Sequence, residues 1–540
     1  MLRTGPWQGA REEEGAVNAP FKSVLKRLGC TALIAVALLF GASVRRAIVT
    51  PVERPALPAV VNDITQLNPI AVARIITPTT TEEIVEAVKR NPGPISIGGG
   101  RYSMGGQTAT EGALHIDMRG FNKILAFSPV ARTITVQAGA RWRQIQERID
   151  PYGLSVRIMQ TYANFTVGGS LSVNAHGRYL GQGPLVLSVR ALKVVLANGA
   201  LVEATPARNR ELFYGVIGGY GGLGVITEAT LDLTDNGRVK RRHRTMPLAD
   251  YPGYFFREVR GSKEIVFHNA DIYPDAYDTV HAVSYVKTDE PATGQERLMP
   301  RGRNYSLDRF TYWVISEWPM GKAIRQYIVD SLMYRGECVE WRNYEASYDV
   351  AELEPSSRSD STYVLQEYFV PVERFDEFVP RMCDCFRHHR VNVINVSVRH
   401  AERDPGTIMA WARQEVFAFV VYYKQGTDSA SREKVAAWTR ELIDAAINAG
   451  GTYYLPYQPH ATYEQFLRAY PRAPEFFALK RMVDPTNKFR NKLWDKYYDA
   501  YQSTALPVSS RVDPAGLRSR APGEGLGLAG REERQWHGKE

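Results

Sequence analysis

Three short glycine-rich segments constrain this chain more than any other feature. Five of its 44 glycines fall within nine positions, Gly98-Gly99-Gly100-Arg101-Tyr102-Ser103-Met104-Gly105-Gly106. A short strand pattern, Ile95-Ser96-Ile97, leads into them. Glycine lets a backbone approach a ligand closely, and successive N–H groups can line an anion nest, so a pyrophosphate is the natural guest. No Gly-Lys-Ser/Thr closes the loop, which excludes a Walker P-loop. The second segment runs from Phe165 to Gly177. It sets Ser170, Ser172, Asn174 and His176 around the corners Gly168-Gly169 and Gly177, adding donors for the same phosphates. The third, Gly218 to Gly224, contains a formal G-x-G-x-x-G from Gly219. A helix candidate precedes it and a strand follows, the reverse of the Rossmann order, so a Rossmann nicotinamide site is rejected.

The 540 residues exceed one ordinary domain, and 44% hydrophobic with 23% charged residues describes a globular body. The net charge of +9 invites a nucleic-acid reading. Its distribution argues otherwise. Residues 1–50 carry +4 and residues 501–540 carry +1, which leaves +4 spread over 450 residues with no basic run. No nucleic-acid partner is expected. The cysteines are Cys30, Cys338, Cys383 and Cys385. Outside the N-terminal segment they are odd in number and form no disulfide framework. Cys383-Asp384-Cys385 lacks two further ligands at sensible spacing, so no metal site is expected.

Residues 1–27 read as disordered. Leu28 to Val44 is an uncharged, largely apolar stretch of 17 residues between Lys26-Arg27 and Arg45-Arg46. That is the short limit for a membrane helix and slightly long for a signal core. A membrane anchor on an unassigned side of the bilayer is expected, with export after signal cleavage as the alternative. Residues 51–66 read as a Pro-rich linker. Thr80-Thr81-Glu82-Glu83 is a capping box before an Ile84/Ala87/Val88 face. Strands are expected at Leu114–Asp117, Thr133–Ala138, Leu192–Leu196 and Val225–Leu233, and helices at Ala140–Ile149 and Asn209–Val216. From about residue 237 a second set begins, with strands Thr362–Val370, Val391–Val398 and Val416–Tyr423 and a helix Ser431–Ala449. The class is α+β. Residues 501–540 read as a disordered tail.

The three glycine segments, together with Asp484-Pro485-Thr486-Asn487-Lys488-Phe489-Arg490-Asn491, resemble the FAD-binding domain of the vanillyl-alcohol oxidase / p-cresol methylhydroxylase (PCMH-type) superfamily. The resemblance implies a two-subdomain FAD-binding domain over 67–236. An α/β cap follows over 237–480, and 481–500 return to the flavin. It implies that the first loop, through Gly98, Gly99, Gly100, Arg101, Tyr102, Ser103 and Gly105, wraps the FAD pyrophosphate. The second loop, through Gly168, Gly169, Ser170, Ser172, Asn174, His176 and Gly177, would pass along the pyrophosphate and the flavin edge. Gly224, Val225 and Ile226 would meet the adenine end, and Asn491 and Lys492 would lie near the cofactor. Many members carry a covalently bound His before the first-loop Ser. Arg101 and Tyr102 stand there in this chain, which implies non-covalent FAD.

Gly450 to Thr462 resembles the active-site segment of aldonolactone (D-arabinono-1,4-lactone oxidase-like), alditol and decaprenylphosphoryl-ribose oxidases. Tyr457 stands where those relatives place a lysine. His460 is the nearest group with a suitable pKa for a general base. In the cap strands, Gln366 shares a face with Tyr368, and Arg399 could neutralise a reduced flavin or bind a substrate oxygen. Tyr457, His460, Arg399 and Gln366 are therefore the catalytic candidates. The expected function is FAD-dependent oxidation of a CH–OH group on a sugar, lactone, polyol or related small alcohol. Electrons would pass to O₂ or to a membrane quinone or cytochrome. A membrane-anchored C=C reductase of the sterol-reductase type and a non-catalytic electron-carrier module are the alternatives.

Overall fold

A parallel three-stranded sheet carries the first glycine loop. Leu114–Asp117 lies in its middle, flanked by Arg74–Ile76 and Ile95–Gly98. The computed structural model describes residues 59–504 apart from Ser356. The expected N-terminal disorder, the apolar segment 28–44 and nearly all of the 501–540 tail lie outside the described residues. Among the described residues no helix is long and apolar enough to cross a membrane. Order begins earlier than expected, because Val60-Val61 pairs with Ile70-Ala71 inside the stretch read as a linker. It also ends later, since the last helix runs from Lys492 to Thr504.

The Thr80 capping box forms as the sequence indicates. Its side chain accepts from the Glu83 N–H, and Ile84 and Val88 are the buried face of helix Thr81–Arg90. A six-stranded antiparallel sheet follows in the order Leu201–Ala204, Val189–Val195, Val225–Asp235, Thr133–Gln137, Ile124–Ser128, with Leu154–Val156 pairing the far end of Val225–Asp235. The second glycine segment is a short helix, Val167–Ser172, rather than an open loop. Thr166 caps it by accepting from the Gly169 N–H.

The cap is an eight-stranded antiparallel sheet. Three adjacent strands towards one end of it, Asn392–Ala401, Val416–Gly426 and Ser361–Pro371, carry the residues that matter for the site. Helices Phe375–His388 and Ser429–Asn448 cover one face, where Tyr368 meets Phe378 and Tyr423 meets Trp438. The other face, carrying Leu365, Glu367, Arg399 and Val420, turns towards the glycine loops. The register accounts for this grouping. Glu367 pairs with Val420 and Arg399 with Ala418, so all four point the same way.

The chain then returns to its first sheet. Phe489 bridges Ile95 in parallel, and the Arg490 N–H donates to the Ile95 carbonyl at 2.9 Å. A fully buried ion pair holds this return. Lys480 Nζ donates to Asp484 Oδ2 and to the carbonyls of Gly222 and Phe489, each at 2.9 Å. Asp484 also accepts the N–H groups of Lys488 and Phe489. Burial pulls the Lys480 pKa down, and the Asp484 charge opposes that. Removing one partner strands the other charge in the interior. Lys480→Met should therefore lower stability by about 3–5 kcal/mol in urea denaturation. A loss below about 1 kcal/mol would show that the return segment is held by other contacts.

Candidate active site

A cleft lies where the glycine loops face the cap sheet, with about 180 Å³ of water-accessible space between its walls. One wall is Gly99 to Met104 and another is Gln160 to Gly169 with His176; the cap supplies Leu365, Glu367, Arg399, Tyr422 and Tyr457.

Close approach explains the glycines of the first loop. A Cβ on Gly99 would fall 2.3 Å from Thr166 Oγ1, and one on Gly105 would fall 2.5 Å from the Tyr457 carbonyl oxygen and 2.6 Å from Pro459 Cδ. Between them Arg101 holds a left-handed backbone with φ of 62°. Gln107 bridges this loop to the cap. Its side-chain oxygen accepts the Gly105 N–H, while its amide donates to the carbonyls of Leu455 and Tyr457 at 2.7 Å. Met104 N–H donates to the Pro456 carbonyl at 2.7 Å. The loop that would wrap a cofactor and the loop that carries Tyr457 are thus stitched together.

A hydrogen-bonded cluster lines the cap side. Glu367, only 3% exposed, accepts from His176 Nε2 at 2.5 Å and from the Tyr457 hydroxyl at 3.2 Å. His176 comes from the second glycine segment, Glu367 from a cap strand and Tyr457 from the cap loop. Burial first, and then the Glu367 charge, lift the Tyr457 pKa well above its ordinary value, so Tyr457 is a donor at neutral pH. Arg399 shares the Glu367 face and is half-buried. Desolvation lowers its pKa, opposed by the Glu367 charge. Its Nε has no hydrogen-bond partner among the described residues. Arg101 Nε and Thr161 Oγ1, also on the cavity wall, are unpartnered in the same sense. Buried polar atoms without partners are expensive. Two guanidinium nitrogens and a hydroxyl around a glycine-walled cleft suit an anionic, oxygen-rich guest such as FAD.

Gly99, Gly100, Arg101, Tyr102, Ser103, Gly169, His176, Arg399 and Tyr457 all line the cavity. Tyr102 packs against Phe165 at a tilt of 37° with ring centroids 4.3 Å apart, and burial pushes its pKa up to about 12. Gly98 and Gly105 lie just behind the wall, where a Gly98 Cβ would strike the His115 ring at 2.7 Å.

Other candidates serve the scaffold instead. Ser170 is fully buried and donates to Gln160 and to the Thr166 carbonyl, while Ser172 donates back to Gly168. Asn174 ties the second segment to the cap by donating to Asp404 at 2.8 Å. Gly168 and Gly177 are packing glycines, with a Cβ 2.8 Å from Ala138 and 2.3 Å from the Met159 carbonyl respectively. Gly224, Val225 and Ile226 enter the six-stranded sheet away from this cavity. Asn491 donates to the Tyr220 carbonyl and accepts the N–H groups of Leu493 and Trp494, while Lys492 pairs outward with Glu111.

Two catalytic candidates need correction. Gln366 faces the covering helices beside Tyr423, because the strand presents Glu367 to the cavity. His460 is also absent from the cavity wall. It lies near Lys496 and Arg440, and desolvation followed by those two charges pushes its pKa down to about 4. Sequence reading missed Glu367 as a site residue, along with Thr161 and Tyr454. Strand alternation separates Glu367 from Gln366 but does not say which faces the ligand.

Residues 72–205 match the family model described as "FAD binding domain". The chain is 24% identical over 457 residues to decaprenylphosphoryl-β-D-ribose oxidase of Mycolicibacterium smegmatis, covering 78% of this chain and 94% of that protein. It is 21% identical to L-gulonolactone oxidase of Bos taurus, again over 78% of this chain and 94% of the relative. Alditol oxidase from a Streptomyces species is 31% identical over 159 residues, which cover 29% of this chain and 37% of that enzyme.

The stitched loops generate a direct test. Gly105→Ala puts a methyl group against two atoms that cannot both yield, and should weaken FAD retention at least tenfold when bound flavin is measured after gel filtration. Full retention would mean that the loop does not hold the cofactor. Residues 72–205 match an FAD-binding domain, and the chain is similar to relatives named as decaprenylphosphoryl-ribose, L-gulonolactone and alditol oxidases.

Proposed function

We propose that this chain is an FAD-dependent oxidoreductase that oxidises a CH–OH group of a small molecule. The observation that carries the reading is the buried Glu367, tied to His176 and Tyr457 on the cavity wall, with the unpaired Arg399 on the same sheet face. Bound FAD would supply the acceptor for the hydride leaving the carbinol carbon. The chain must handle the hydroxyl proton and the charge left on oxygen.

Glu367 takes that proton, held in position by the hydrogen bond from His176 Nε2 at 2.5 Å. Tyr457 keeps its own proton and fixes the second carboxylate oxygen. Arg399 supplies a permanent positive charge for the developing alkoxide, strengthened by exclusion of water. A non-catalytic carrier module would have no use for a carboxylate held in this way. With Arg101 and Tyr102 in the position read for a covalent His, the cofactor is held non-covalently. Alcohols of the sugar, lactone and polyol kind are the first substrates to try, since the relatives are named for such molecules. Electrons leave to O₂ or to a membrane quinone.

The apolar run Leu28–Val44, with basic residues at both ends, supports a membrane location. Carbonate-washed membranes should retain the full chain and release a form lacking residues 1–50; equal release of both would remove the anchor.

The catalytic reading is tested by anaerobic mixing of reconstituted enzyme with a panel of alcohols while flavin absorbance is followed. At least one should bleach the flavin, and Glu367→Gln should slow bleaching about 10²–10⁴-fold with FAD still bound. Bleaching at the wild-type rate in Glu367→Gln would overturn the assignment of the base.

A further inference from the structure

A second cluster of chemically able side chains lies on the helical layer of the cap, away from the cavity. Cys385 is on helix Phe375–His388, and His389 is the residue that closes that helix. Four positions apart, they share one helix face. That face meets helix Ser429–Asn448, which contributes Glu441. Cys385 Sγ, His389 Nε2 and a Glu441 carboxylate oxygen all lie within 4.8 Å of one another, and His389 Nε2 is 2.7 Å from Glu441 Oε2. None of the three lines the cavity.

We propose that Cys385, His389 and Glu441 bind one zinc-class divalent cation, with water completing the coordination. A thiol, an imidazole and a carboxylate make the mixed S/N/O set that such ions take in a tetrahedral shell. Around an ion with bonds of about 2.0–2.3 Å, ligand atoms stand roughly 3.3–3.7 Å apart. Reaching that separation means opening the 2.7 Å His389–Glu441 contact by roughly 0.6 Å and drawing the thiol in by up to about 1 Å, movement to which the exposed Glu441 can contribute. Burial is graded, from Cys385 in the interior through half-buried His389 to Glu441 in solvent, so the fourth position opens to water.

Among the described residues Glu441 has no ion pair with lysine or arginine, so its charge is available to a cation. The contrast is a second trio, His400, Glu402 and Glu415, in which Arg260 already neutralises Glu415. Burial, followed by the nearby Glu441, pushes the Cys385 thiol up to about 12. A metal takes the thiolate, so binding releases the thiol proton to solvent. The two residues on one helix and one on the other make the ion a clip across the layer that covers the cap sheet.

The test uses the full chain, freed of any affinity tag, treated with EDTA and desalted. Titration with cobalt(II) should give a thiolate-to-metal charge-transfer band that saturates near one ion per chain and disappears on adding zinc. Zinc alone should raise Tm, reversibly with EDTA. Cys385→Ser should abolish the band. Glu441→Gln, at an exposed position, should keep the Tm of the metal-free wild type while losing at least tenfold in zinc affinity and the zinc-dependent rise. Absence of cobalt binding, or equal affinity in Glu441→Gln, would reduce the trio to a His389–Glu441 ion pair. A band retained in Cys385→Ser would place the thiolate elsewhere. Either result overturns the proposal.

Discussion

A single buried carboxylate joins the parts of this protein that chemistry requires to be together. Glu367 sits in the interior of the cap sheet, where an unpaired charge would be destabilising by several kcal/mol. It is tolerated because His176 reaches it from the second glycine segment and Tyr457 from the cap loop. Both partners must be in place at once. The cap sheet therefore seats against the glycine segments in one arrangement, and that arrangement defines the cavity. The same hydrogen bonds that satisfy Glu367 also hold it on the cavity wall.

The glycines set how closely the parts can meet. At Gly105 the cap loop carbonyl of Tyr457 occupies the space a side chain would need, and at Gly99 the Thr166 hydroxyl does so. The return segment adds a second clasp, in which Lys480 and Asp484 satisfy each other and two carbonyls deep behind the first loop. The cofactor-binding half is thereby closed by residues that lie hundreds of positions further along the chain. Of the fifteen buried polar atoms without a partner among the described residues, three face the cavity: Arg399 Nε, Arg101 Nε and Thr161 Oγ1. Donors held in place on a cavity wall are what a preorganised site requires.

Much of this was legible in the sequence. The strand after the third glycine segment, expected at Val225–Leu233, runs from Val225 to Asp235. The helix expected at Ser431–Ala449 spans Ser429–Asn448. Turn chemistry and local periodicity carry such information. The catalytic wall was less legible because it depends on which face of a strand is covered. Residues 362–371 are almost all buried on both sides, so hydropathy could not separate Gln366 from Glu367. His460 was misplaced for a related reason: the chain turns at Gln458 and Pro459, and its imidazole ends beside Lys496 rather than beside Tyr457. The second segment read as a ligand loop because its Ser and Asn suit phosphates. In the structure Ser170, Ser172 and Asn174 are consumed by the scaffold, and His176 alone among those four side chains reaches the cavity.

The central claim is that one cavity, walled by Gly99–Met104 on one side and by Glu367 and Arg399 on the other, holds the flavin and its substrate together. A crystal structure of the FAD-reconstituted chain tests it most directly. The account predicts flavin ring density inside this cavity, with Glu367 and Arg399 on its open face and Arg101 turned to the phosphates. Flavin bound elsewhere, or a cavity filled by the cap with FAD absent from it, would contradict the account.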